Sequence, residues 1–151
     1  MPAPYGFYND LGATDFHSAN YLLGFKVTIP ASTLTKFGML VPASAVGAHA
    51  QFGLYRDGGS GPTTLVAQTN GVALASGRNE AAPTVAGITL TAGDYWIMAV
   101  FDRMTDVRHD TTTTTTWRYV PVSYGTSLPA TLGTTTSQPT SANINFYILA
   151  Y

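Results

Sequence analysis

The stretch DYWIMAVFD, residues 94–102, constrains the fold more than any other part of the chain. From Tyr95 to Phe101 every residue is apolar, so a strand built from it has two apolar faces. Such a strand cannot sit at a surface. It predicts a central position in a sheet that is covered on both sides.

The flanking sequence supplies neighbours for it. YLLGFKVTI (21–29) alternates and stops at Pro30, LTKFGMLV (34–41) ends at Pro42, and HAQFGLYR (49–56) alternates cleanly. In the last of these, Ala50, Phe52, Leu54 and Arg56 share one face, and His49, Gln51, Gly53 and Tyr55 the other. DGGSGP (57–62) reads as a reversal, after which TLVAQT (64–69) returns antiparallel. VALA (72–75) is a weaker segment, SGRNEAAP reads as a loop, and TVAGITL (84–90) as a strand. NINFYILAY (143–151) predicts a C-terminus tied into the sheet. No segment shows a helical apolar stripe, and no repeat or domain boundary is visible.

Composition narrows the function. Charged residues are only 10% of the 151, the net charge is -1, and there is no cysteine. Disulfides and thiolate metal sites are thereby excluded. Seven scattered basic residues make no phosphate-tracking surface, which argues against nucleic acid. No apolar run is long enough for a membrane helix, so no membrane insertion is expected. The opening MPAPYGFY lacks the pattern of a signal peptide.

The run DTTTTTTWRYVPV (110–122) reads either as a linker or as a strand. Threonine favours strands, and the run flows into the alternating WRYVPV, which predicts a strand polar at its start and packed at its end. Thr111, Thr113, Thr115, Trp117 and Tyr119 would share one face, with Arg118 and Val120 on the other. Pro121 suggests a sheet edge.

FGLYRDGGSGPTTLVAQT followed by GITLTAGDYWIMAVFD resembles a β-sandwich accessory module of bacterial secreted and surface proteins. Its pattern is an LY-D-x-G-x-P hairpin, then an L-x-x-G-x-YW strand. SYGTSLPATLG with NINFYILAY is similar to its closing segment, and NYLLGFKVTIPASTLTKFGML to its first strands, so the resemblance spans about residues 20–151. It implies a carbohydrate-binding-like module that carries no catalytic set.

Catalytic chemistry is poorly served by the residues themselves. There is no cysteine nucleophile and no G-x-S-x-G elbow, and His17, His49 and His109 show no metal-type pairing. DRMTDVRHD (102–110) places Asp102, Asp106 and Asp110 in one stretch, where carboxylate oxygens would suit calcium. The competing reading is a solvated connection whose arginines pair with those acids. Nine tyrosines, seven phenylalanines and two tryptophans exceed what a small core needs. Flat rings stack on sugar faces, and Trp117, Tyr119 and Tyr124, with His109 nearby, are the candidate ligand-binding residues. Trp96 reads as core, Trp117 as either core or platform, and Tyr5, Tyr8 and Tyr21 as caps on one end.

The expectation is therefore an all-β chain: one antiparallel, jelly-roll-like β-sandwich domain over residues 1–151, with about eight strands. It is expected to be a non-catalytic extracellular or cell-surface module that binds a polysaccharide or other glycan, with calcium as its one plausible cofactor. The alternative is a structural subunit of a virion or of a bacterial surface filament that self-assembles as a homo-oligomer.

Overall fold

The computed structural model describes residues 1–110, 116–138 and 142–151. It is all-β, with 58% of residues in strands and 2% in helix. In chain order the strands are β1 (Ala3–Gly6), β2 (Ala13–His17), β3 (Tyr21–Ile29), β4 (Ser32–Val41) and β5 (His49–Asp57). There follow β6 (Pro62–Gln68), β7 (Val72–Ala73), β8 (Gly77–Ala81), β9 (Thr89–Leu90) and β10 (Gly93–Phe101). The last five are β11 (Thr105–Asp110), β12 (Trp117–Pro121), β13 (Thr136–Ser137), β14 (Asn143–Ile144) and β15 (Phe146–Ala150). Among the described residues fifteen strands replace the eight or so expected, largely because four of them are two-residue pieces at sheet margins.

They form a five-stranded sheet (β1-β15-β4-β8, with β9 on β4) and a seven-stranded sheet (β13-β12-β3-β10-β5-β6, with β7 on β5). A three-stranded sheet, β14-β11-β2, lies beside them. All pairings are antiparallel, and the chain crosses repeatedly between sheets, giving a β-sandwich.

The apolar stretch around Ile97 lies where its two-faced hydrophobicity demands. β10 pairs with β3 on one side and β5 on the other, and is buried from Tyr95 to Phe101. Its inner face (Tyr95, Ile97, Ala99, Phe101) joins the main core, in which Phe146 lies 6.3–6.4 Å from the rings of Phe25, Phe52 and Phe101. Its outer face (Trp96, Met98, Val100) joins a second cluster with Leu22, Tyr55, Leu128 and Leu132.

Among the described residues no sheet covers that outer cluster; a strap of chain between β12 and β13 does. The strap is tied down by its backbone: Leu65 N–H donates to the Ala130 carbonyl at 2.9 Å and Leu132 N–H to the Thr63 carbonyl at 2.8 Å. Gln51 fastens it at another point, donating to the Thr126 carbonyl and accepting from Gly125 N–H. The Tyr55 hydroxyl donates to the Pro129 carbonyl at 2.8 Å.

Two segment expectations need correction. GRNEA, read as part of a loop, is β8, paired with β4. Its signal was hidden because an edge strand carries polar residues on its wet face. Buried Asn79 shapes the turn before it, bonding both the N–H and the carbonyl of Ala75. Conversely, TVAGITL is a strand only at Thr89–Leu90. Gly87, at φ +73°, bends the chain just ahead of it.

NINFYILAY does tie the C-terminus into the sheet, but it splits at Asn145 between two sheets. Asn145 is fully buried, and its side chain holds the N-terminal segment through Phe7 O, Asn9 O and Leu11 N. Thr111 to Thr115 lie outside the described residues, so the threonine strand is described only from Trp117 onward.

Candidate functional site

β12 alternates strictly. Trp117 and Tyr119 point to the inner side of the seven-stranded sheet, where Trp117 is part of the main core; Val120 points outward into the second cluster. Beyond β12 the five-stranded sheet no longer covers that inner side, and β2 approaches instead. His17, at the end of β2, meets Trp117 edge-on at 5.2 Å.

The result is a groove of about 290 Å³ lined by Phe16, His17, Ser18, Tyr21, Leu23, Trp117, Tyr119 and Gln138. Phe16 is 58% exposed and Tyr21 39%, whereas Trp117 is only 8% exposed. Tyr119 joins them, 5.9 Å from Tyr21 and 6.0 Å from Trp117. Of the two readings of Trp117, the core one fits its burial. It forms the floor, and its less buried neighbours form the walls. Ser18 and Gln138 put a hydroxyl and an amide at the margin, and Gln138 N–H is fixed to the Trp117 carbonyl at 2.9 Å.

The floor is electrically quiet. Burial pushes His17 down to about 4, against the opposing pull of Asp15 and with a further push from His109, so the ring is neutral at ordinary pH. Trp117 Nε1 and His109 Nδ1 are buried without a hydrogen-bond partner among the described residues. His109 is not a groove residue. It stands on β11 with Nε2 4.0 Å from Asp15 Oδ2.

Tyr124 lies elsewhere. It belongs to the outer strap, in a polar cleft of about 510 Å³ with Gln51, Gln68, Thr69 and Asn70. Its ring is 6.4 Å from His49, whose backbone N–H donates to Asp102 Oδ1 and whose Nδ1 is 2.8 Å from Asp102 Oδ2. Burial raises the Asp102 pKa, but the His49 hydrogen bonds and Arg103 outweigh it, and the net shift is downward. Among the described residues no hydroxyl is bonded to the far ring nitrogen of this acid–imidazole pair.

The three acids proposed for calcium are not gathered. Asp102 is engaged by His49 and Arg103, Asp106 sits opposite Phe16, and Asp110 opposite Asn143. Among the described residues no three metal-ligating side chains converge.

Of the four sequence candidates, the fold thus joins Trp117 and Tyr119, moves Tyr124 to the other face and sets His109 behind the groove. The sequence does not single out Phe16 or Gln138, and marks His17 only as a histidine without metal-type pairing, because β2 and the segment after β13 lie apart from each other and from β12 along the chain. An apolar ring in the otherwise polar ATDFH was the one available signal. Comparisons with protein families, curated proteins and solved structures gave no match to this chain.

Proposed function

We propose that this chain is a non-catalytic glycan-recognition module of an extracellular or cell-surface protein, and that the aromatic groove between β2 and β12 takes the sugar. One observation carries the reading: Phe16, Tyr21 and Tyr119 keep ring surface open to solvent on a sheet-borne, hydrogen-bonded frame. Pyranose C–H faces pack on such rings, while a hydroxyl and an amide at the margin bond sugar hydroxyls. Rigid rings lose little conformational entropy on binding, which favours recognition by a shallow site. This reading of the groove invokes no calcium, and Asp106 and Asp110 lie outside its lining.

A glycan array followed by calorimetry tests the reading. Binding is expected to fall about tenfold in Tyr119→Ala and in Tyr21→Ala, with the β-sheet circular dichroism unchanged. Silence across plant, bacterial and host polysaccharides would overturn it. A trimer or polymer in light scattering, with no sugar affinity, would instead favour a structural subunit that self-assembles.

A further inference from the structure

The outer face of the seven-stranded sheet carries a second cleft, of about 450 Å³, lined by Lys26, Asp57, Ser60, Trp96, Thr116 and Arg118. Lys26 and Trp96 are direct cross-strand partners on β3 and β10. Arg118 turns outward because its neighbour Trp117 turns inward. It stands opposite Gly24, which adds no side chain to the space.

The charges are fixed in place. Asp57 accepts a hydrogen bond from Trp96 Nε1 at 2.9 Å and faces Lys26 Nζ at 3.7 Å. Arg118 Nη1 donates to the Thr135 carbonyl at 3.0 Å and lies 3.3 Å from its hydroxyl. The tip of the β5–β6 hairpin closes the cleft because Gly61 has no side chain. A Cβ there would stand 2.8 Å from Thr135 Oγ1 and 3.2 Å from Arg118 Cδ, at a φ of +138° that other residues rarely adopt.

Two cations and one carboxylate therefore line this cleft, in a chain whose overall net charge is -1. A ligand with a single negative charge balances the set. The volume falls within the range of small-molecule sites and is too large for a bare ion. Ser60, Thr116 and Asp57 offer donors and acceptors suited to hydroxyl groups.

We propose that this cleft binds a polyhydroxylated carboxylate of monosaccharide size. Its carboxylate sits between Lys26 and Arg118, and its hydroxyls face Asp57, Ser60 and Thr116. A planar carboxylate matches the guanidinium fork, and Lys26 adds a point charge. A uronic acid within a glycan and a free sugar acid share this chemistry. The site lies across the sheet from the aromatic groove, so the proposal stands without the groove's reading.

The two tryptophans provide the test, because each indole N–H gives its own NMR signal. Glucuronate, gluconate and glucose are titrated into the intact chain. A glucuronate-dependent shift of the Trp96 signal, with that of Trp117 still, is the expected result. Arg118→Gln should weaken it about tenfold, added salt should weaken it further, and Tyr119→Ala should leave it unchanged. If Arg118→Gln does not fold, Lys26→Gln at its half-exposed site makes the same measurement. A response to gluconate as well shows that charge and hydroxyls suffice, as a free sugar acid offers them; a response to glucuronate alone shows that the closed ring is also read, as a glycan uronate presents it. No shift with either acid would refute the proposal. So would an equal shift with glucose, or binding indifferent to loss of both cations.

Discussion

Phe52 and Gly53 are neighbours on β5, and they meet opposite solutions to the same problem. Phe52 faces inward, fully buried, its ring 6.2 Å from Phe37 of the facing sheet and 6.3 Å from Phe146. Gly53 faces outward, where a Cβ would stand 2.6 Å from Leu128 Cδ1 of the strap. Where two sheets face each other, large side chains from both fill the space between them, about 10 Å deep. Where an irregular strap covers a sheet, its fit is uneven: large residues such as Trp96 and Met98 lie beneath it beside Gly53, whose missing side chain leaves room for Leu128. Gly24, on the same outer side, is small for a different reason: a Cβ there would meet the Ile97 carbonyl of the paired strand β10, within the sheet itself. The lesson is that a strap covers unevenly. Both outer clefts adjoin residues of the hairpin or strap, whereas the aromatic groove opens where the facing sheet ends.

The contrast can be broken most directly at Phe52. Phe52→Ala is expected to cost about 3–5 kcal/mol in urea unfolding, because the surrounding rings cannot collapse into the space. Leu132→Ala, under the strap, should cost about 2 kcal/mol, since a strap can settle inward. Equal losses would show that both faces are packed alike.

Acid probes the same face further out, at His17. In the unfolded chain this ring takes a proton near its ordinary 6.5, but in the folded chain only near 4. Between those values the unfolded state binds more protons, so stability rises with pH through the window and is fully present above about 6.5. The total is about 3 kcal/mol, lost as pH falls to about 4. His17→Gln should flatten the profile measured by chemical unfolding at each pH. A profile unchanged by that substitution would mean the ring is not held neutral by burial.

A last effect, comparable to that of Leu132→Ala, also lies under the strap. Gly53→Ala should cost about 1–3 kcal/mol by overpacking, and Leu128→Ala in the same chain should return part of it. Strictly additive losses would place Leu128 away from Gly53 and sharpen the comparison against close coverage.

Much of this was legible in the residues. The alternation of β3, β4 and β5 and the two-faced β10 fixed their elements to within two residues, because half-buried and fully buried strands leave distinct patterns. β8 was not legible: polar GRNEA carries no such pattern, and only its place beside β4 makes it a strand. Of the groove, Trp117 and Tyr119 could be paired from their spacing on one strand. Phe16 and His17 could not, since nothing local says that β2 crosses there. Lys26, Asp57 and Arg118 are likewise unremarkable singly, and only the order of β12, β3, β10 and β5 sets them in one cleft.

By itself the sequence decided that the chain pleats into antiparallel sheets around a central apolar strand, because side-chain alternation and solvent exclusion act on neighbouring residues. Which rings stay wet, and which charges share a cleft, was decided by the tertiary structure alone. Exposure and electrostatic pairing depend on what packs alongside, and here that comes from strands far apart along the chain.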